Sequence, residues 1–325
     1  MFFVNYRKQF VIIGALIMLV SAVIISVLGM KIGIDFTGGS LTEVSYAEVV
    51  DKSVVEAVIS GMNIGGASVR ESVNESGREA YFVRTRDLTE EERVSLSEQL
   101  VTLGEDGTVD RFTTVGPVIG QELKEKSGWA IGAVIFIIVV YVAFAFAGIG
   151  TPVSSWIYGL ITIIVLIHDV LVPAALMSLL GYFAGVEVDV LFVMALLAVL
   201  GYSVNDTIVI FDRVRENLVK NRTEHTTERT EPGGIVIKDT TYTLTAPYEE
   251  IVGTAVSESM ARSINTSLTT FVALIALYFI GGTVTQSFAL VLMAGVLAGA
   301  YSSICIASPL VVMYADWKAK KEQEA

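Results

Sequence analysis

The sequence predicts a polytopic α-helical membrane protein with six transmembrane helices, plus a small α+β external domain between helices 1 and 2. Three observations predict it. The 325-residue chain is 53% hydrophobic and only 17% charged, where soluble domains carry roughly 25% charged residues. The charges are segregated: none occurs from Gln9 to Met30, from Ser127 to His168, or between Arg262 and Asp316. The charged stretch 31–126, by contrast, has the short alternating and helical periods of a small soluble domain.

A spanning helix needs ~20 mostly apolar residues. Gln9–Met30 supplies the first span. Its uncharged run exceeds the about 7–15 residues of a signal-peptide core and no small-x-small cleavage site follows, so it reads as a permanent anchor. Ser127–Gly181 is long enough for two spans, broken at Gly148-Ile149-Gly150-Thr151-Pro152, where two glycines and a proline suit a tight turn. Val190–Phe211 is the fourth. The stretch Ser263–Tyr314 must fold back once, at Gly281-Gly282-Thr283, to give the fifth and sixth.

Lysines and arginines set the orientation. Arg7 and Lys8 precede the first span, Arg213 and Arg215 follow the fourth, and Lys318, Lys320 and Lys321 follow the sixth. Six spans put all three groups on one side, which the positive-inside rule makes cytoplasmic, together with both termini. The domains expected are therefore 1–30 (cytoplasmic N-terminus and helix 1), 31–126 (external), 127–211 (helices 2–4), 212–261 (cytoplasmic loop with an insertion at 220–250) and 262–325 (helices 5–6 and cytoplasmic C-terminus). The external segment holds 18 acidic and 10 basic residues.

Within it, Ser40–Ala47 reads as a strand and Val50–Met62 as a helix through Val54, Val55, Val58 and Ile59. Ala67–Val73 and Glu79–Thr85 read as strands joined through Asn74-Glu75-Ser76-Gly77. Leu88–Leu103 reads as a helix opened by a Thr89/Glu92 capping box. Thr108–Val115 closes as a strand. The order β-α-β-β-α-β is that of a ferredoxin-like sandwich. This domain has no histidine or cysteine and its acids are scattered, which fits a solvated surface or a binding face better than a catalytic one.

Several function classes are excluded. A net charge of −12 argues against nucleic-acid binding through a basic surface. One cysteine, Cys305, rules out an intramolecular disulfide framework, and two histidines, His168 and His225, leave little for a zinc site. Neither a cofactor nor a metal is expected.

Ionisable groups at the bilayer centre cost roughly 2.5–3.5 kcal/mol or more, so each is a functional hypothesis. His168-Asp169 lies midway along the third span, Asp206 lies in the fourth, and Arg262 opens the fifth. Arg262, Thr266, Thr269 and Ala273 share a helix face, as do Tyr202 and Asp206, and Gly201 and Asn205. Asp206 and Arg262 could meet if spans four and five are neighbours, and their relative movement would change the proton affinity of the carboxylate. The competing reading has Asp206, Asn205 and Arg262 bonding spans together. His168-Asp169 reads either as a helix-packing hydrogen bond or as a relay. Gly295 and Gly299 have the small-xxx-small spacing of close helix approach.

The motifs also carry a family resemblance. Gly33-Ile34-Asp35-Phe36-Thr37-Gly38-Gly39 resembles the signature that opens the external domain of the SecD/SecF protein-export family. The run from Gly201-Tyr202-Ser203-Val204-Asn205-Asp206-Thr207 through Ile208-Val209-Ile210-Phe211-Asp212-Arg213-Val214-Arg215-Glu216-Asn217 resembles its fourth-span signature. Val115-Gly116-Pro117, His168-Asp169-Val170 and Arg262-Ser263-Ile264-Asn265-Thr266-Ser267-Leu268-Thr269-Thr270 match further motifs in the same order. The resemblance implies a SecF-type, non-enzymatic subunit of the bacterial cytoplasmic membrane that pairs with SecD. It would assist SecYEG and, indirectly, SecA in moving preproteins, driven by the proton gradient. It also implies kinship with resistance-nodulation-division transporters. Proton-pathway roles carry over to Asp206 and Arg262, with Asn205, Thr207, Asn265, Thr266, Thr269, His168 and Asp169 as supporting polar residues. Sodium remains an alternative coupling ion. The sequence departs from the family at Ala147–Ser155, which lacks basic residues, and at the longer Lys220–Glu250 segment. There, Glu231–Lys238 and Thr240–Thr245 are expected to pair as a small hairpin.

Three other readings stand beside this one. Half of a resistance-nodulation-division exporter would fit six spans. A passive translocon scaffold would make Asp206 structural. An intramembrane aspartyl protease would need Asp169 and Asp206 close together.

Overall fold

Charge-free sequence becomes helix wherever it must satisfy its own backbone in a bilayer. The structure, a computed structural model, describes residues 2–62, 64–74, 77–146, 152–230 and 236–324, with side chains described outside 227–230, 236–241 and 283–284. The chain opens with α1 (Phe2–Asn5), α2 (Arg7–Leu28) and a single turn, α3 (Ile34–Thr37). A sheet domain follows, formed by β1 (Gly39–Ser45), α4 (Lys52–Gly61), β2 (Ser68–Val73), β3 (Glu79–Thr85), α5 (Glu90–Val101) and β4 (Thr108–Val115). Three long helices come next, α6 (Pro117–Ala145), α7 (Ser155–Ala184) and α8 (Val190–Lys220), then a hairpin of β5 (Arg222–Thr230) and β6 (Val236–Leu244). The chain ends with α9 (Tyr248–Ile280), α10 (Thr283–Ser302), a π-helical turn (Ser303–Ala307) and α11 (Ser308–Glu324). Among the described residues, six helical runs are long and apolar enough to cross a membrane: α2, α6, α7, α8, α9 and Thr285–Glu324. The protein is an integral membrane protein with a small sheet domain.

The sheet is antiparallel, in the order β2-β3-β1-β4. Side chains alternate across it. Val44, Tyr81 and Val83 pack with Tyr46 against Val55 and Ile59 of α4 and Leu96 and Leu100 of α5. The opposite face carries Arg70, Phe82 and Arg84. Tyr46 is buried with its hydroxyl donating to the Leu100 carbonyl at 2.9 Å, and burial pushes that phenol up to about 12. Thr89 and Glu92 form the reciprocal cap expected at the start of α5.

In the bundle, α7, α8 and the final helical run are about half buried, whereas α2, α6 and α9 are largely exposed. Helix α8 lies among α7, α9 and α10. Gly295 makes the α8–α10 contact possible: a β-carbon there would sit 2.2 Å from a methyl of buried Val199. The cationic ends gather at one pole, where Arg7 pairs with Glu249 at 3.2 Å and with Asp316 at 2.9 Å. The sheet domain is at the other.

Several boundaries differ from the sequence reading. The expected turn at Gly148–Pro152 falls almost wholly outside the described residues. Helix α8 runs to Lys220 instead of ending at Phe211, because Arg213, Glu216 and Lys220 form ion pairs along its surface. The hairpin pairs Arg222–Thr230 with Val236–Leu244, so its first strand is the polar stretch after α8 and not Glu231–Lys238. Residues 231–235, between the two strands, lie outside the described residues.

Candidate functional site

Helix α8 starts where the Asp189 side chain accepts the Phe192 amide at 2.8 Å and carries two polar faces into the bundle. Ser203 and Thr207, one turn apart, look toward α7 and α10. Asp206 looks toward α9.

On the α9 side, Asp206 is only 4% exposed. Its carboxylate accepts the Ser267 hydroxyl at 3.4 Å, and Ser267 in turn accepts the Tyr202 phenol at 3.5 Å. Ser263, one turn earlier on α9, is buried with its hydroxyl unpartnered among the described residues. Arg262 is exposed and forms no ion pair among the described residues. Asn205, Asn265 and Thr269 are exposed and Thr266 is half-buried. Thr266 donates to the Arg262 carbonyl at 2.8 Å and Thr269 to the Thr266 carbonyl at 2.9 Å, so both hydroxyls are used within α9. The structure thus brings Asp206 against the serine face of α9 and turns the Arg262/Thr269 face outward.

On the other side, Asp169 is fully buried and His168 is 1% exposed. The His168 Nδ1 lies 2.7 Å from one carboxylate oxygen of Asp169. The other oxygen accepts Ser302 at 2.7 Å and also Ser203. Three polar neighbours on one carboxylate offset much of the cost of burying it, since hydrogen bonds to a charged group are worth about 1.5–3 kcal/mol each. The His168 Nε2 is buried without a partner among the described residues, its ring 5.9 Å from that of Tyr301. Thr207 bonds Ser303 at 2.8 Å, where α10 widens into the π-helical turn, a distortion frequent at functional sites.

Asp169 and Asp206 therefore have separate partner sets and share no hydrogen bond, unlike the shared-proton pair an aspartyl protease uses. Sequence reasoning missed Ser203, Ser263, Ser267, Ser302 and Ser303. One signal was present, the i, i+4 repeat Ser259, Ser263, Ser267, a small-residue stripe of the kind that lets helices approach.

The chain is similar to known proteins over nearly its whole length. Residues 96–233 and 235–317 match the family "Protein export membrane protein SecD/SecF, C-terminal". The protein translocase subunit SecF of Thermobaculum terrenum is 32% identical over 98% of this chain and 94% of its own length. The protein translocase subunit SecDF of Thermus thermophilus is 33% identical over 91% of this chain and 36% of its own. A crystal structure of SecDF, a translocon-associated membrane protein of Thermus, superposes with a TM-score of 0.78 at 30% identity, covering 97% of this chain and 38% of that one. This chain thus spans nearly the whole of the SecF relative but under half of the SecDF chains. By sequence and by fold, it belongs to the SecD/SecF family of protein-export membrane proteins.

Proposed function

We propose that this chain is the SecF-type subunit of a SecDF assembly, and that it uses the proton gradient to help preproteins complete SecYEG- and SecA-dependent export. The observation that carries the reading is Asp206: a carboxylate buried within a membrane helix and hydrogen-bonded to the neighbouring helix α9, which also carries Arg262. An ionisable group in that setting is costly unless it is used. Proton binding at Asp206 neutralises it and loosens its hold on α9, and movement of Arg262 toward it restores the charge. His168 and Asp169 form a second buried pair beside the same helix and support the path. Sodium would use the same oxygens, and the experiment below separates the two ions. The mechanism calls for no catalytic chemistry and no cofactor.

The remaining assignments follow from the same reading. The termini and the hairpin lie in the cytoplasm of a bacterium, at the pole that gathers Arg7, Arg213 and Lys318. The sheet domain, residues 31–126, lies outside as a ferredoxin-like module; its strand order supports this. SecD is the partner that covers the outward face of Asn205, Arg262, Asn265 and Thr269, since charged and amide groups on a spanning helix are rarely left facing lipid.

A second reading has one observation in its favour. The Ser267–Asp206 bond joins two helices, as a static scaffold would need. The test is release of a late export intermediate from spheroplasts carrying wild type or Asp206→Asn, each with a matching SecD. Uncouplers and sodium removal are applied separately. Uncoupler-sensitive release that disappears in an assembled Asp206→Asn complex supports the proton path. Release that survives the substitution leaves the scaffold.

A further inference from the structure

The segment Gly33–Gly39 connects the first membrane helix to the sheet domain, and it also grips the helix that carries Asp206. The Asp35 carboxylate accepts the Val190 amide at 2.9 Å, capping the first turn of α8 beside Asp189. The Gly33 amide donates to the Val188 carbonyl at 2.8 Å and the Val188 amide to the Lys31 carbonyl at 2.7 Å, a short parallel bridge. Phe36 is buried among Ala174, Met177, Val188 and Phe192, at the external ends of α7 and α8. From the sheet side, Arg84 of β3 donates to Glu187 and to the Ile32 carbonyl, both at 2.9 Å, and to Thr37 at 2.7 Å.

The path onward into the sheet is equally tight. Gly38 and Gly39 have φ of +74° and +124°, conformations that favour glycine. A β-carbon on Gly39 would lie 2.5 Å from the Thr85 carbonyl, and one on Gly38 would lie 2.8 Å from Pro117. Strand β1, the central strand beside β3, begins at Gly39. Beside this contact a cavity of about 880 Å³, lined by Arg70, Arg84, Arg111, Tyr182 and Glu187, separates part of the sheet from the helix ends. The joint therefore ties the sheet directly to the start of α8, alongside the continuous run from β4 into α6 and the contact of Arg70 with Gly185 at the end of α7.

We propose that Asp35 and the Arg84–Glu187 pair form a rigid coupling joint, so that movement of α8 at Asp206 is transmitted to the sheet domain as movement of one body. Asp206 lies about 24 Å along the α8 axis from the Val190 amide at 1.5 Å per residue, and a continuous helix carries displacement over that length. The inference rests on the proton-driven reading above. Asp35 and Arg84 are positioning residues: they transmit the stroke and touch neither ion nor preprotein.

The test uses full-length chain with SecD. Proton movement is measured in proteoliposomes and release of the late export intermediate in spheroplasts, for wild type, Asp35→Ala, Asp35→Asn and Asp206→Asn. In Asp35→Ala, release falls roughly 2- to 30-fold, the range that substitutions along a coupling path produce, while proton movement stays within about twofold of wild type. Asp35→Asn, which still offers an acceptor oxygen to Val190, restores release. Unchanged release in Asp35→Ala overturns the joint, and so does parallel loss of release and proton movement. A second variant pair covers failure of Asp35→Ala to assemble. Ile32→Cys with Val188→Cys, in a Cys305→Ser background, cross-links the bridge on oxidation; a rigid joint keeps release and a hinge at this point loses it. If wild type moves no protons, or Asp206→Asn moves them normally, the proton-driven reading itself fails, and that result is distinct from either joint outcome.

Discussion

Ser267 of α9 sets its hydroxyl 3.4 Å from the Asp206 carboxylate, while Arg262, on the same helix, stands exposed. Helix α9 thus presents a serine face to α8 and an Arg/Asn/Thr face to its surroundings. A partner in the membrane is expected on that outward face. Single cysteines substituted at Asn205 and Thr269, in a Cys305→Ser background, should react with a membrane-permeant maleimide in the isolated chain. They should become protected on co-expression with SecD. Cysteines at Ser263 and Ser267 should stay protected in both cases. Reaction at Thr269 that is indifferent to SecD would remove this face as the interface.

Ser203 and Ser302 converge on one oxygen of Asp169 from two different helices. Replacing either with alanine removes a hydrogen bond to a buried charged group, worth about 1.5–3 kcal/mol in soluble proteins, and about 0.6–2 kcal/mol where the unfolded reference stays in the membrane. Because the two serines share one acceptor, their effects should not add, and the double variant should cost less than the sum of the singles. Unfolding in detergent with increasing SDS, measured for the four members of the cycle, checks this. Strict additivity would show that the serines act independently.

What the sequence made legible follows from cost. Asp206, His168 and Asp169 stood out because ionisable groups in apolar runs are expensive and therefore rare. The strands and helices of the sheet domain fell close to their expected bounds, Glu79–Thr85 and Thr108–Val115 among them, because alternation and the Thr89/Glu92 cap are local signals. The serines around the two aspartates were hard to see because a hydroxyl can satisfy itself on its own helix, as Thr266 and Thr269 do. Polarity alone ranked the Arg262/Thr269 stripe above the Ser263/Ser267 stripe, although small residues are what close helix packing selects. The first strand of the hairpin, Arg222–Thr230, was not expected because it has no apolar alternation to mark it as a strand.

Gly295 tests how closely α8 and α10 must approach. A β-carbon at that position meets the side chain of Val199 at 2.2 Å, and Val199 is fully enclosed. Gly295→Ala should therefore destabilise the bundle by about 1–3 kcal/mol, the usual range for overpacking. Val199→Ala should lower that cost when combined with it, although alone it leaves a cavity. The readout is thermal unfolding of the purified chain in detergent. Absence of rescue would mean that the helices separate to accommodate the new methyl group.

Glu92 supplies a pH-dependent prediction in the sheet domain. The Arg86 guanidinium beside Glu92, together with the Thr89 amide, holds its carboxyl down to about 2. The contacts are Arg86 Nη1 to Glu92 at 2.9 Å and the Thr89 amide to Glu92 at 3.0 Å. The ordinary glutamate value is about 4.3, so the native state favours the ionised form. Its contribution is fully present above pH about 4.3 and fades as the pH falls toward about 2. Exchange protection of the α5 amides, corrected for intrinsic rate, should be lower in Glu92→Gln than in wild type at pH 7, and the gap should close near pH 2. Salt should narrow the gap at pH 7, since the pair is exposed to solvent. A gap that persists unchanged to pH 2 would mean that the charge of Glu92 is not what stabilises α5.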